Sequence, residues 1–152
     1  MDTIDKKILA CLQEDATLPV GEIAERVGLS STPCWRRIRN LEESGVIQSR
    51  VVLLNPEKLN LGVTVFVGVK TSQHSYDWLE SFAAALSQID EVVEFYRMSG
   101  DTDYLLRIVV PDIAGYDAVY KRLIQSADLS DVSSSFAMER IKFTTALPLD
   151  YV

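Results

Sequence analysis

Two short amphipathic helices hinged on one glycine constrain this chain more than any other feature of its 152 residues. In residues 19–45, PVGEIAERVGLSSTPCWRRIRNLEESG, Val20, Ile23, Ala24 and Val27 recur at i, i+3, i+4 and i+7. This spacing predicts a helix from about Pro19 to Val27 with one apolar stripe. Gly28 stops it, since glycine tolerates the positive φ of a helix C-cap. Leu29 plugs the corner and Ser30 caps a second helix, whose first turn accommodates Pro33 because the missing N–H would be unpaired there anyway. On that second helix Cys34, Ile38 and Leu41 share the inner side at i, i+4 and i+7. At about 100° per residue, Thr32, Arg36, Arg39 and Asn40 then face outward, with Trp35 and Arg37 on the flanks. The layout suits a groove reader: arginine can contact guanine with two hydrogen bonds, a threonine methyl can meet a thymine methyl, and the flanks can grip phosphate. The candidate DNA contacts are therefore Ser31, Thr32, Trp35, Arg36, Arg37, Arg39 and Asn40, with Arg50 further on. The bland counterpart is a solvated helix with surface arginines.

A net charge of −7 looks wrong for a DNA binder until it is divided along the chain. Residues 1–50 hold seven Lys/Arg against eight Asp/Glu, and residues 51–152 hold eight against fourteen. The acid thus belongs mainly to the second half, while Ser31–Leu41 carries three arginines and no acid. Phosphate attraction decays within about 8–10 Å in physiological salt, so a local positive face suffices. Affinity per module is expected to be modest and to be multiplied by oligomerisation. A hydrophobic content of 47% with 24% charge is ordinary globular composition. Runs such as Val51–Leu54 and Ile108–Val110 are far shorter than the ~18 residues of a membrane span, and the chain starts directly with MDTIDKK. Neither membrane association nor an export signal is expected, and the expected location is the cytoplasm. Cys11 and Cys34 fit core positions of helices and have no metal-ligand neighbours at useful spacing, so free thiols and no metal are expected.

A first helix, about Thr3–Gln13, buries Ile4, Ile8, Leu9 and Leu12. After Gly45, the β-branched run Val46–Leu54 reads as a strand that makes the helical module a winged variant. Asn55–Asn60 reads as a linker. Beyond it the pattern alternates: strand 62–70, helix Tyr76–Ile89, strands Val92–Ser99 and Tyr104–Val110 around the turn 100–103, helix Ile113–Ser126, and strand Val132–Thr144. The order βαββαβ predicts a ferredoxin-like sheet with both helices on one face. A homodimer is the economical cover for the other face. The fold class is thus α+β, with residues 1–50 the DNA-binding domain, 51–61 strand and linker, and 62–152 an effector-binding and oligomerisation domain.

The turn Gly100-Asp101-Thr102-Asp103-Tyr104 is the candidate small-molecule site. Glycine frees backbone N–H groups for a carboxylate, Thr102 adds a hydroxyl, and Asp101 or Asp103 can accept an ammonium group. The same residues also serve a plain hairpin turn. Side-chain selection falls to groups such as Met98, Tyr104, Ser135 and Thr144. The single histidine, His74, reads as an exposed loop residue, and no nucleophile–base pair is discernible around it. Asp90, Glu91 and Glu94 read as solvated charge. No catalytic residue, cofactor or metal is expected.

Several stretches together carry a family resemblance: Ile4-Asp5-Lys6-Lys7-Ile8-Leu9, VGLSSTPCWRRIRNLEESGVI (27–47), LLNPEKLNLG (53–62), GDTDYLLRIVVPD (100–112) and SSFAMERIKFTTALPL (134–149). Over essentially its whole length the chain resembles the Lrp/AsnC (feast/famine) transcription regulators. The resemblance implies a regulator-of-amino-acid-metabolism (RAM, ACT-like) second domain, dimers assembling into octamers, and an amino acid held between dimers near the Gly100 turn. Ile4 stands where leucine is usual, a conservative change. The ending Lys142–Leu149 resembles members that respond to amino acids other than, or besides, leucine, and an apolar or sulfur-containing effector is preferred here. Double-stranded DNA, an amino-acid effector and further copies of the chain are the expected partners. The alternative from another class is an amino-acid-binding domain or small-molecule enzyme whose helical pair mediates protein contacts.

Overall fold

A computed structural model describes residues 1–152 as two compact units, Met1–Leu53 with Ile141–Val152, and Leu54–Arg140. The first is helical: α1 (Thr3–Glu14), α2 (Val20–Val27) and α3 (Ser31–Glu43). Asp2 caps α1 reciprocally with Asp5, each carboxylate accepting from the other's backbone N–H at 2.9 and 3.0 Å. The three stripes meet in one core containing Ile8, Ile23, Ala24, Cys34, Ile38 and Leu41.

The second unit follows the expected order, β1 (Val63–Lys70), α4 (Tyr76–Leu86), β2 (Val92–Arg97), β3 (Tyr104–Val110), α5 (Ile113–Ser126) and β4 (Asp131–Phe136). Its antiparallel sheet runs β2-β3-β1-β4. Strand alternation sends Val65, Val67, Val69, Leu106, Ile108 and Val110 to one face, where Phe82 and Leu86 of α4 and Tyr116, Val119 and Leu123 of α5 close the core. The opposite face carries Phe66, Leu105, Val109 and Tyr96, together with a Glu94–Arg107 ion pair at 2.6 Å. It is a mixed face rather than a purely apolar one.

Three expectations need correction. Residues 46–54 form no strand: within one chain they have no ladder partner, and a strand without one leaves its backbone groups unpaired. Val51–Leu54 consequently stand exposed. The last strand ends at Phe136 instead of Thr144, its final ladder bond running from Ala137 N–H to the Thr64 carbonyl at 2.9 Å. Residues 141–152, assigned by sequence to the second domain, cluster with the helical unit. There Leu149 packs on the helical core, and the Gln13 amide brackets the Leu147 peptide, donating to its carbonyl at 3.2 Å and accepting from its N–H at 2.6 Å.

Candidate functional site

The helix pair closes as its sequence dictates. Gly28 takes φ 75° and ψ 35°, its N–H returns to the carbonyls of Ala24 and Glu25, and the Leu29 N–H bonds Ala24 at 2.8 Å. This double bond pattern satisfies the last carbonyls of α2 and turns the chain by a route open mainly to glycine. Ser30 occupies the N-cap of α3 with extended backbone, but its hydroxyl makes no capping bond. Cys34, Ile38 and Leu41 are buried, and burial pushes the Cys34 thiol above its ordinary value. Anchored by that inner face, α3 turns Ser31, Thr32, Trp35, Arg36, Arg39 and Asn40 to solvent.

The arginines, alike in sequence, differ in what holds them. Arg36 has no acidic partner and stands exposed beside Asn40 on an open polar recess. Arg39 lies 3.4 Å from Glu43 and 3.8 Å from Glu42, exposed pairs that solvent screens and a phosphate can replace. Arg37, on the flank, is held within the unit: it donates to Asp5 at 2.7 Å and to Asp2 at 2.8 Å, tying α3 to the N-terminus of α1. Those bonds raise its pKa, and the Asp5 N–H together with Arg37 lowers that of Asp2. Arg50 is likewise engaged within the unit, donating to the Ala16 carbonyl at 3.2 Å and to Glu42 at 3.1 Å. Sequence reasoning missed both attachments. For Arg37 the Asp-x-x-Asp spacing at the start of α1 was the available signal, since it marks a capping box with carboxylate capacity to spare.

Within one chain the expected effector residues do not all converge. Gly100 takes φ 124° in open space, and Asp101 is exposed. One oxygen of the half-buried Asp103 carboxylate accepts the Thr71 N–H at 2.9 Å, which fixes its orientation at the turn. Thr102 lies over Gly68, where a β-carbon would stand 3.3 Å from its methyl. Gly68 and Ser135 belong to the face of the sheet away from the helices, and Ser135 is there opposite Phe66. Tyr104 points the other way, its ring among Trp78, Phe82 and Phe95 beneath α4. Ser135 and Tyr104 therefore occupy opposite faces. Met98 is exposed where β2 has ended, its N–H bonded to the Asp103 carbonyl at 2.8 Å. Thr144 falls in the helical unit, where its hydroxyl accepts from the Ala146 N–H at 3.0 Å. What remains accessible at the turn is Gly100, Asp101 and the half-exposed Thr102. Arg97 and His74, unassigned by sequence, border a cavity with Tyr104.

Comparison with known proteins agrees with both units. A winged helix-turn-helix DNA-binding model matches residues 1–48, and a model of the Lrp/AsnC ligand-binding domain matches residues 64–147. The crystal structure of an AsnC family transcriptional regulator from Agrobacterium tumefaciens is 63% identical, with a TM-score of 0.96 and 99% of each chain covered. A glutamate uptake regulatory protein of Zymomonas mobilis is 50% identical, over 98% of this chain and 91% of its own length. A Neisseria meningitidis transcriptional regulator, crystallised as a complex with L-Met, is 38% identical with a TM-score of 0.94, covering 99% of this chain and 98% of that one. A glycine-hinged helix pair with an outward arginine face, followed by a βαββαβ unit and matched over nearly the full length by such regulators, belongs to the Lrp/AsnC family of transcriptional regulators.

Proposed function

We propose that this chain binds promoter DNA through α3 and that an amino acid bound by the second unit sets its occupancy. The observation that carries the proposal is the outer face of α3, where Arg36 stands unpaired beside Thr32, Asn40 and Trp35 on a helix fixed by a buried inner face. A side chain with no internal partner is available to a base edge or a phosphate without first breaking a bond. Arg39 joins it by exchanging weak, exposed carboxylate partners for phosphate. Arg37 and Arg50 hold the helical unit together instead.

The chain works by binding rather than by catalysis, in the cytoplasm, where its target DNA lies. No helix is long and apolar enough to cross a membrane. A second copy covers the mixed outer face of the sheet, burying Phe66 and Tyr96, and higher assembly to an octamer brings the Gly100 turns of neighbouring dimers together. The names of two relatives, one regulating glutamate uptake and one crystallised with L-Met, favour an amino-acid effector without choosing its side chain. The test is a mobility-shift titration of the full chain on genomic promoter fragments, with each of the twenty amino acids added at millimolar concentration. The expected result is specific retardation that at least one amino acid alters. Retardation of no fragment above the non-specific background overturns the DNA reading, and retardation indifferent to every amino acid overturns the effector reading.

A further inference from the structure

In the sheet-bearing unit, a cavity of about 120 Å³ opens beside the start of α4, lined by His74, Ser75, Tyr76, Leu79, Arg97 and Tyr104. Its most informative wall is Tyr104. The residue is only 4% exposed, its ring held by Trp78, Phe82 and Phe95, yet its hydroxyl forms no hydrogen bond with the chain. A tyrosine hydroxyl buried this deeply normally finds a partner. No side-chain polar atom here is both sealed from solvent and unpaired, so this hydroxyl keeps an outlet, and the cavity is the space that Tyr104 lines.

The other walls carry the matching charge. Arg97 is the direct ladder neighbour of Tyr104 and has no acidic partner, whereas Arg107 and Arg122 in the same unit are paired with Glu94 and Glu91. The third wall is the N-terminus of α4, an eleven-residue helix. Ser75 satisfies the Trp78 N–H at 3.2 Å, which leaves the N–H groups of Tyr76 and Asp77 without an acceptor. Unpaired N–H groups at a helix start, an unpaired guanidinium and an orphan hydroxyl are all donors, and together they ask for an acceptor with several lone pairs. The opposing groups are the exposed carboxylates of Asp77 and Glu80 on α4 itself. Asp103, across the turn, is already bonded to Thr71.

We infer that this cavity binds a small carboxylate, held by the Arg97 guanidinium, the Tyr104 hydroxyl and the Tyr76 N–H at the start of α4. At about 120 Å³ the space is well below the ~300–1,000 Å³ of a pocket that engulfs a whole ligand, and it suits a carboxylate with a short stem. The inference rests on the effector reading for its biological meaning: the cavity takes the anionic end of the effector while the rest projects outward. That end is either the α-carboxylate that every amino acid has or the side-chain carboxylate of an acidic one.

Calorimetric titration of the full chain with L-glutamate, L-leucine, acetate and inorganic phosphate separates these sources, using wild type, Arg97→Gln, Arg97→Lys and Tyr104→Phe. Carboxylate binding is expected to fall roughly tenfold or more in Arg97→Gln, to recover in part in Arg97→Lys, and to fall about threefold in Tyr104→Phe, as charge-assisted and neutral bonds are lost in turn. Because the Tyr104 hydroxyl bonds nothing in the chain, Tyr104→Phe should fold with unchanged stability. Dependence on Arg97 for both amino acids assigns the α-carboxylate; dependence for L-glutamate alone assigns the side chain. If no amino acid binds but acetate does so through Arg97, the anion site stands and the effector reading fails. Carboxylates that bind wild type and Arg97→Gln equally, phosphate alone showing the Arg97 dependence, or no anion binding at all would each overturn the site.

Discussion

Replacing Phe82 with alanine tests whether the sheet-bearing unit stands on a core of its own. Phe82 is fully buried, with ring centroids 4.9 Å from Trp78, 5.6 Å from Phe95 and 6.0 Å from Tyr104. Truncating such a ring loses both the transfer term and the contacts around the void, about 3–5 kcal/mol. Taking ~4 kcal/mol and a urea slope of ~2 kcal/mol per molar, the midpoint of that unit falls by about 2 M. The helical core shares no residue with this one, so its transition should not move. The two tryptophans divide between the units, Trp35 in the first and Trp78 in the second. Urea unfolding followed by fluorescence in Trp35→Phe and Trp78→Phe backgrounds, at one protein concentration, reads each unit separately. A Trp35 signal that shifts as far as the Trp78 signal would refute the idea of two independent cores.

Two further predictions concern the helical unit. Asp2 titrates below its ordinary value of 3.8 because the Asp5 N–H and then Arg37 favour its charged form. A lowered folded pKa gives stability that is complete above the unfolded value and disappears as pH falls through the folded one, so thermal melts of wild type and Asp2→Asn should differ at pH 6 and converge in acid below 3.8. A gap that persists undiminished in acid would refute the linkage. Gly28 sits at φ 75° with no atom near the position of a β-carbon, so Gly28→Ala costs only backbone strain, about 1–2 kcal/mol, and Gly28→Asn costs less. Equal melting temperatures for wild type and Gly28→Ala would contradict the left-handed turn.

How far the sequence could be read depended on whether the deciding partner was local. Helix α2 emerges within about a residue of its expected bounds and α3 starts directly after its expected cap, Ser30, because apolar periodicity, Gly28 and Pro33 all act within one or two turns. The order βαββαβ was legible for the same reason. Strand ends were not, since a strand persists only where a neighbour supplies its ladder, and neither Val46–Leu54 nor the stretch after Phe136 has one within the chain. The outward face of α3 followed from counting 100° per residue. The fate of Arg37 did not, because Asp2 and Asp5 lie more than thirty positions away on another helix. Among the proposed effector residues, Tyr104 and Ser135 could be placed on opposite faces only once the register Phe66↔Ser135 and Val69↔Tyr104 was known. Arg97 escaped notice because its significance is a missing partner, which sequence does not display.

Under the proposed function α3 reads DNA through Arg36 while Arg37 holds the unit together. Equilibrium binding of wild type, Arg36→Ala and Arg37→Lys to a duplex selected by the wild-type protein from random sequence, across a series of salt concentrations, separates the two roles. Arg36→Ala should weaken specific binding by about 1–3 kcal/mol per occupied half-site if it contacts a base edge, or lower the salt slope by roughly 0.9 if it contacts a phosphate. Its melting temperature should stay near that of wild type. Arg37→Lys should instead lower the melting temperature, because a single ammonium replaces the guanidinium that Asp2 and Asp5 share, and should leave the salt slope unchanged. Arg36→Ala with wild-type affinity and slope would contradict the account.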